Sequence, residues 1–244
     1  MCSSDLLNEK YAKNTKNDDV IKDLSRKLLH VIMLSIIIGL NSYANSISDR
    51  LTDNGLTPIA FRNTLYLFLA GLFVFMFTLE DLYRMCAFHC CPNWARNWLT
   101  KSLDPRSESY TFISSVPFLQ TMLLFIFAPI QVLFAAAVVS CVADSVASIV
   151  GKSMGKHKLA NVGFYPNKSV EGLLAGVFAT LIGVILVFVY YPIPNVGPML
   201  IFSIALVISL IFALIDLFGK YIADNVLNTL IPGLVIWGML IVFS

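Results

Sequence analysis

The sequence predicts an all-α polytopic integral membrane helix bundle with about seven transmembrane spans. Three observations carry that prediction. Apolar residues make up 57% of the 244-residue chain, charged residues only 13%, and mean hydropathy is +0.77. A soluble domain is typically about 45–50% apolar and about 25% charged, so no soluble core would hold the excess. Residues 31–48, 63–79, 111–143, 172–215 and 226–244 contain no Asp, Glu, Lys or Arg. A helix needs about 20 apolar residues to cross a bilayer, and lipid-exposed backbone must satisfy its own hydrogen bonds. This composition excludes a cytosolic enzyme, a disulfide scaffold and a disordered chain as readings of the whole molecule.

The spans follow in order. Residues 1–22, rich in Asn, Lys and Asp, read as a polar cytosolic tail, and 23–244 as one membrane-embedded domain. The polar start offers no cleavable signal peptide, which leaves the first span as a signal anchor. The spans fall at roughly 28–46, 59–80, 110–127, 130–150, 170–191, 199–217 and 227–243. Pro129 separates the third from the fourth, and Tyr191-Pro-Ile-Pro-Asn-Val-Gly-Pro198 separates the fifth from the sixth. With the N-terminus in the cytosol, only Arg50 and Arg62 of the 17 basic residues face the other side. That bias fits the positive-inside rule. Four of the five cysteines then face the cytosol, where a structural disulfide is not expected. Cys86, His89, Cys90 and Cys91 match no common zinc spacing; juxtamembrane thiols of this kind are better candidates for palmitoylation.

Charged groups at membrane depth are costly and mark function. Asp144 follows 33 residues without a charge, and helical spacing puts Ser140, Asp144, Ser148 and Gly151 on one face. The loop Gly151-Lys-Ser-Met-Gly-Lys-His-Lys158 comes next. Gly151 and Gly155 would let backbone approach an anion, and Lys152 and Lys156 would neutralise it, a combination suited to a polyphosphate. The positive-inside rule alone would also supply these lysines. Gly151-Lys-Ser is no P-loop, because Val146 stands where that motif needs glycine. Asn167-Lys-Ser-Val-Glu-Gly172 opens the fifth span. Lys168 and Glu171 share a face, Asn167 or Ser169 could cap the helix, and Gly172 with Gly176 predicts a close helix contact. Arg26 and His30 stand one turn apart at the start of the first span, suited to one phosphate or to snorkelling at the interface. Glu80 and Arg84 read as a helical ion pair. Asp216 ends the sixth span and Asp224-Asn225 precedes the seventh. Asp144, Glu171, Asp216 and Asp224 thus converge on one membrane face with several bases, a set able to bind Mg2+ with nucleotide phosphates.

Five segments, in order over about residues 24–240, resemble the CTP-dependent lipid kinases: dolichol kinase, the fungal-type membrane diacylglycerol kinase and phytol kinase. They are Arg26-Lys-Leu-Leu-His30, Glu80–Arg84, Ala143-Asp-Ser-Val-Ala-Ser-Ile-Val-Gly-Lys-Ser-Met-Gly155, Asn167-Lys-Ser-Val-Glu-Gly172, and Ile215-Asp-Leu-Phe218 with Asp224-Asn225 and Pro232. The resemblance implies phosphoryl transfer from CTP to the hydroxyl of a membrane lipid alcohol, with dolichol first and diacylglycerol second, in the endoplasmic reticulum membrane. Its partners would be CTP and the lipid, with no nucleic acid. On this reading Lys152, Lys156 and Lys168 hold the CTP phosphates with Gly151, Gly155 and Asn225. Asp144 and Asp224, with Asp216, hold Mg2+. Glu171 is the first candidate for general base, with Asp144 next, and Arg26 and His30 steady the transferred group. Ala143 stands where relatives usually carry Gly, and Ala213 or Asp216 where they carry Glu. A CDP-lipid-forming cytidylyltransferase would share CTP and membrane. That family's signature, a Lys-Asp and Gly-Gly-rich stretch ending in two aspartates near the C-terminus, is absent here. A transporter or a non-catalytic scaffold completes the alternatives.

Overall fold

The computed structural model describes residues 31–32, 34–87, 92–94, 97, 115–159, 168–218 and 224–243. It is helical almost throughout, with no strand among these residues. Helix α1 covers residues 34–46. Then come α2 (Ser48–Asp53), α3 (Pro58–Ala87), α4 (Ser115–Leu124) and α5 (Ile130–Val138). A π-helical turn, Val139–Ala143, carries α5 into α6 (Asp144–Ser153); α7 (Val170–Tyr190), α8 (Pro198–Phe218) and α9 (Asp224–Phe243) complete the bundle.

Local chemistry sets the boundaries. Pro58 and Pro198 occupy first helical positions, where a missing N–H costs nothing, and Pro129 immediately precedes α5. Helix α2 ends in a Schellman motif: Leu56 N donates to Leu51 O at 2.9 Å and Gly55 N to Thr52 O at 3.0 Å. Gly55 supplies the positive φ of 74° that this motif requires. Between α7 and α8 the corresponding left-handed residue is Asn195, at φ 69°.

Five stretches are long and apolar enough to cross a membrane among the described residues: Pro58–Leu82, Ile130–Ser153, Val170–Tyr190, Pro198–Phe218 and Val226–Phe243. They match the second, fourth, fifth, sixth and seventh expected spans to within three residues. The first and third expected spans, 28–46 and 110–127, run partly outside the described residues. The break at Pro129 is present, with a turn over 125–128 between α4 and α5.

The continuous α5–α6 rod is the centre of the bundle. Two-thirds of its most apolar window (67%) is buried, against 11% for α3, which lies at the periphery. Val132, Phe134, Ala135, Ala136, Ala137, Val139, Cys141 and Ala143 are all buried. The three successive alanines let neighbouring helices approach closely. At one end of the rod Gln131 Nε2 donates to Tyr191 O at 2.9 Å, and the Phe134 and Tyr191 rings stack with centroids 4.8 Å apart. Asp144 opens the second half of the rod, as the first residue of α6.

Candidate active site

The site is built where α6 and α7 meet. Ser169, with extended backbone at φ −112°, ψ 150°, caps α7: its Oγ accepts from Gly172 N at 3.2 Å and donates to Gly151 O at 3.5 Å. The loop leaving α6 then runs antiparallel to the strand-like entry of α7. Leu159 N donates to Lys168 O and Val170 N to His157 O, both at 2.9 Å. This short ladder fixes the basic loop against the start of α7.

Close backbone approach explains the glycines. A Cβ on Gly172 would fall 2.7 Å from Ala147 O and 2.8 Å from Gly151 Cα. One on Gly176 would strike the Phe212 ring of α8 and the Ala147 methyl. The Gly172/Gly176 pair is therefore a close helix contact, as its spacing indicates. One on Gly155 would meet Ser169 Oγ at 2.5 Å, its Cβ at 2.6 Å and, nearer still, Gly151 O. Gly151 and Gly155, expected to admit an anion, here admit the cap of α7.

Lys168 and Glu171, expected to share a face, turn to different partners. Lys168 Nζ lies 2.5 Å from Asp216 Oδ1 and also donates to the Asp216 main-chain carbonyl. The pair is largely shielded, with side-chain exposures of 25% and 10%. Glu171 accepts from His157: the backbone N–H lies 3.2 and 3.3 Å from the two carboxylate oxygens, and Nδ1 lies 2.7 Å from Oε1. The sequence reading assigned no role to His157. Its only signal was its place between two lysines in the loop after α6.

Lys152, Lys156 and Lys158 are exposed at this end, and Asp144 is half-buried at the start of α6. The π turn just before Asp144 places a locally opened helical ladder beside the site, a feature frequent at functional positions. Among the described residues, Ser140 Oγ and Asn228 Oδ1 are buried without a hydrogen-bond partner. Ser140 lies in the π turn, one helical turn from Asp144. Asn228 lies in α9, one turn from Asp224, and α9 packs against the π turn. Carboxylate, hydroxyl and amide oxygens are the donors a hard cation takes. No group of three or more His, Cys, Asp or Glu side chains suited to a metal ion occurs among the described residues. Mg2+ commonly binds through one or two carboxylates plus substrate phosphates.

Arg26 and His30 lie outside the described residues, as do His89, Cys90 and Cys91. Nothing is described of the side chains of Arg84, Cys86, Asp224 and Asn225, though the backbone of the last two opens α9. Asp81, beside the expected Glu80–Arg84 pair, is fully buried.

Comparison with known proteins places the chain in a family. A model of the cytidylyltransferase family matches residues 24–223. The phosphatidate cytidylyltransferases of Staphylococcus aureus strains COL, MSSA476 and MW2 are each 35% identical over 94 residues, 37% of this chain. That match covers 35% of each relative, so the chain spans about a third of their length. No solved structure matches. These findings overturn the expected CTP-dependent lipid kinase, whether acting on dolichol or on diacylglycerol, and with it CTP as a phosphoryl donor. The reason is physical. A kinase and a cytidylyltransferase both set the triphosphate of CTP beside a lipid at the membrane surface. Motifs that serve that purpose do not say which phosphorus is attacked. The bacterial relatives also argue against the endoplasmic reticulum in particular. With more than four-fifths of its length inside the matched region, the chain belongs to the cytidylyltransferase family.

Proposed function

We propose that this protein transfers the cytidylyl group of CTP to the phosphate of a membrane lipid phosphate, of which phosphatidate is the first choice. In that reaction a lipid phosphate oxygen attacks the α-phosphorus of CTP. The bond from that phosphorus to the bridging oxygen breaks, and pyrophosphate leaves while CDP-lipid remains in the bilayer. The family match supports nucleotidyl transfer, and the phosphatidate relatives support the lipid. The observation that carries the site is the pinned loop. It gathers Lys152, Lys156 and Lys158 at the end of the bundle that holds Asp144 and the Lys168–Asp216 pair.

Each group then has a part. The loop lysines draw the CTP triphosphate to the membrane surface and balance its charge; such transfer depends on positioning and charge neutralisation. Lys168, fixed by Asp216, presents one more ammonium at the helix start. Asp144 and Asp224, with Ser140 Oγ and Asn228 Oδ1 one turn away, would hold a divalent cation, whereas Asp216 is engaged by Lys168. When bound, that ion neutralises the phosphates and favours departure of pyrophosphate. The nucleophile also changes the part of Glu171. An alcohol must lose a proton to attack, but a phosphate monoester, with a second pKa near about 6, is already anionic at neutral pH. Glu171 therefore holds the basic loop through His157 instead of serving as a base. The basic end of the bundle faces the cytosol, where CTP is.

The test is position of label. Protein in lipid micelles with Mg2+, phosphatidate and α-labelled CTP is expected to yield labelled lipid and equimolar pyrophosphate. Label reaching lipid from the γ-position, or no label in lipid from either, overturns the proposal.

A further inference from the structure

A single guanidinium stands at the end of the bundle away from the basic loop. Helix α7 begins at that loop and runs 21 residues to Tyr190, about 30 Å at about 1.5 Å per residue. Tyr191 O then accepts from Gln131, and Leu133, two residues on, lies on one wall with Tyr66 of α3. Arg62 precedes Tyr66 by one helical turn and so belongs to this far end.

The guanidinium is held in place but not neutralised. Its Nε and Nη2 donate to Asn63 Oδ1 at 3.2 and 3.0 Å, and its Nη1 to Asn41 Oδ1 at 3.4 Å. Asn41, on α1, is only 3% exposed, so its amide is a fixed point. One turn further into the bundle the Tyr66 hydroxyl donates to Ile37 O at 2.7 Å and clamps the same two helices. Both acceptors of Arg62 are neutral amides. It forms no ion pair with a described residue, Asp49 and Asp53 of α2 included. Three of the five N–H groups of a guanidinium are thus engaged, and two are left for a further acceptor.

A half-buried charge one turn inside the apolar stretch Pro58–Leu82 is costly without a counter-ion. The surroundings identify that anion. Ile59, one turn before Arg62 on α3, and Ile38, one turn before Asn41 on α1, are exposed apolar side chains. A free phosphate ion gains nothing from them. An amphiphile buries its chains against them while its phosphate takes the two remaining N–H groups, a planar recognition suited to arginine. A zwitterionic lipid already carries its own cation, so an uncompensated guanidinium favours a lipid of net negative charge. We infer that Arg62, set by Asn41 and Asn63, binds the phosphate of an anionic membrane lipid in the leaflet at the end opposite the basic loop. This site does not depend on the proposed reaction.

Protein in phosphatidylcholine nanodiscs is given a trace of phosphatidylglycerol with a photoreactive group beside its glycerol backbone. Irradiation is expected to label residues 38–45 and 59–66. Unlabelled phosphatidylglycerol should compete, whereas phosphatidylcholine and inorganic phosphate should not. Arg62→Gln should lower labelling there about tenfold, the lower end of what hydrogen bonds to a charged group contribute. Arg62→Lys, which keeps the charge and loses the planar fork, should fall between the two. Arg50→Gln, which removes an exposed cation on α2, should leave labelling unchanged. If Arg62→Gln impairs folding, Asn41→Asp gives the guanidinium an internal partner and should lower labelling with the arginine in place. Phosphatidylcholine competing as well as phosphatidylglycerol, or displacement by inorganic phosphate, overturns the site. So does unaltered labelling of Arg62→Gln, or of Asn41→Asp where that variant replaces it.

Discussion

Lys168 Nζ and Asp216 Oδ1 meet at 2.5 Å across 48 residues of sequence, tying the entry of α7 to the end of α8. The ammonium also reaches the main-chain carbonyl of Asp216, so the contact secures the end of α8 as well as its side chain. Breaking one half of a shielded pair strands the other charge, at a cost of about 3–5 kcal/mol when burial is complete and less here, where Lys168 keeps some solvent. Asp216→Ala should therefore lower the melting temperature in detergent by several degrees. Lys168→Met with Asp216→Leu should recover most of that loss. Activity should separate the roles: the double variant stays inactive if the ammonium serves CTP, and regains turnover if the pair is purely structural.

The loop lysines make a different prediction. Lys152, Lys156 and Lys158 are exposed, and an ion pair made at the surface contributes little to the fold, whereas their charge acts on an approaching triphosphate. Each change to Gln should raise KM for CTP by about fivefold, roughly 1 kcal/mol per lost charge contact, with little change in melting temperature. The dependence of KM on ionic strength should flatten in the triple variant, because fewer screened charges remain. An unchanged salt dependence would remove these residues from the nucleotide site.

Much of this architecture was legible in the sequence because the bilayer imposes it. The expected span at 170–191 is observed as Val170–Tyr190, and the break expected at Pro129 is there, with Pro129 immediately before the next helix. The Ser169 cap and the Gly172/Gly176 contact could be read from residue type and spacing. The pairing of charges could not. Lys168 and Glu171 lie three apart on one helix start, yet one reaches forward to Asp216 and the other back to His157, 14 residues earlier. Those partners are set by how α6, α7 and α8 pack, which local spacing does not encode. The π turn before Asp144 has no sequence signature either. The chemistry itself was misread because residues that grip CTP serve attack at either end of its triphosphate.

The glycines give a test of packing against ligand approach. Gly155→Ala forces a methyl onto Gly151 O and the Ser169 side chain, neither of which can retreat without dislodging the α7 cap. Overpacking of this kind costs about 1–3 kcal/mol. The variant should lose stability even without CTP present. Gly71→Ala is the counterpart: nothing lies within 4 Å of a Cβ there, in the interior of α3. It should be neutral or gain up to about 1 kcal/mol from helix propensity. Thermal unfolding of both variants without nucleotide checks the contrast. A Gly155→Ala protein that unfolds normally but binds CTP poorly would return that glycine to the ligand.

Glu171 offers the sharpest division between the two chemistries. A general base depends on its negative charge, whereas a residue that holds the loop depends on accepting hydrogen bonds. Glu171→Gln keeps an acceptor oxygen for the His157 backbone N–H, seen at 3.2 Å, and surrenders only the charge. Removal of a true general base costs typically about 10²–10⁴-fold in rate. Attack by a lipid phosphate needs no such base, so Glu171→Gln should retain kcat within about tenfold, a margin well below that range. Glu171→Ala releases His157 from both its ring and backbone contacts and should raise KM for CTP further, as the loop lysines lose their fixed place. His157→Gln should resemble the milder variant, since the backbone N–H still reaches the carboxylate. A fall of a thousandfold in kcat for Glu171→Gln, with KM unchanged, would make the carboxylate a base and call for a nucleophile that carries a proton.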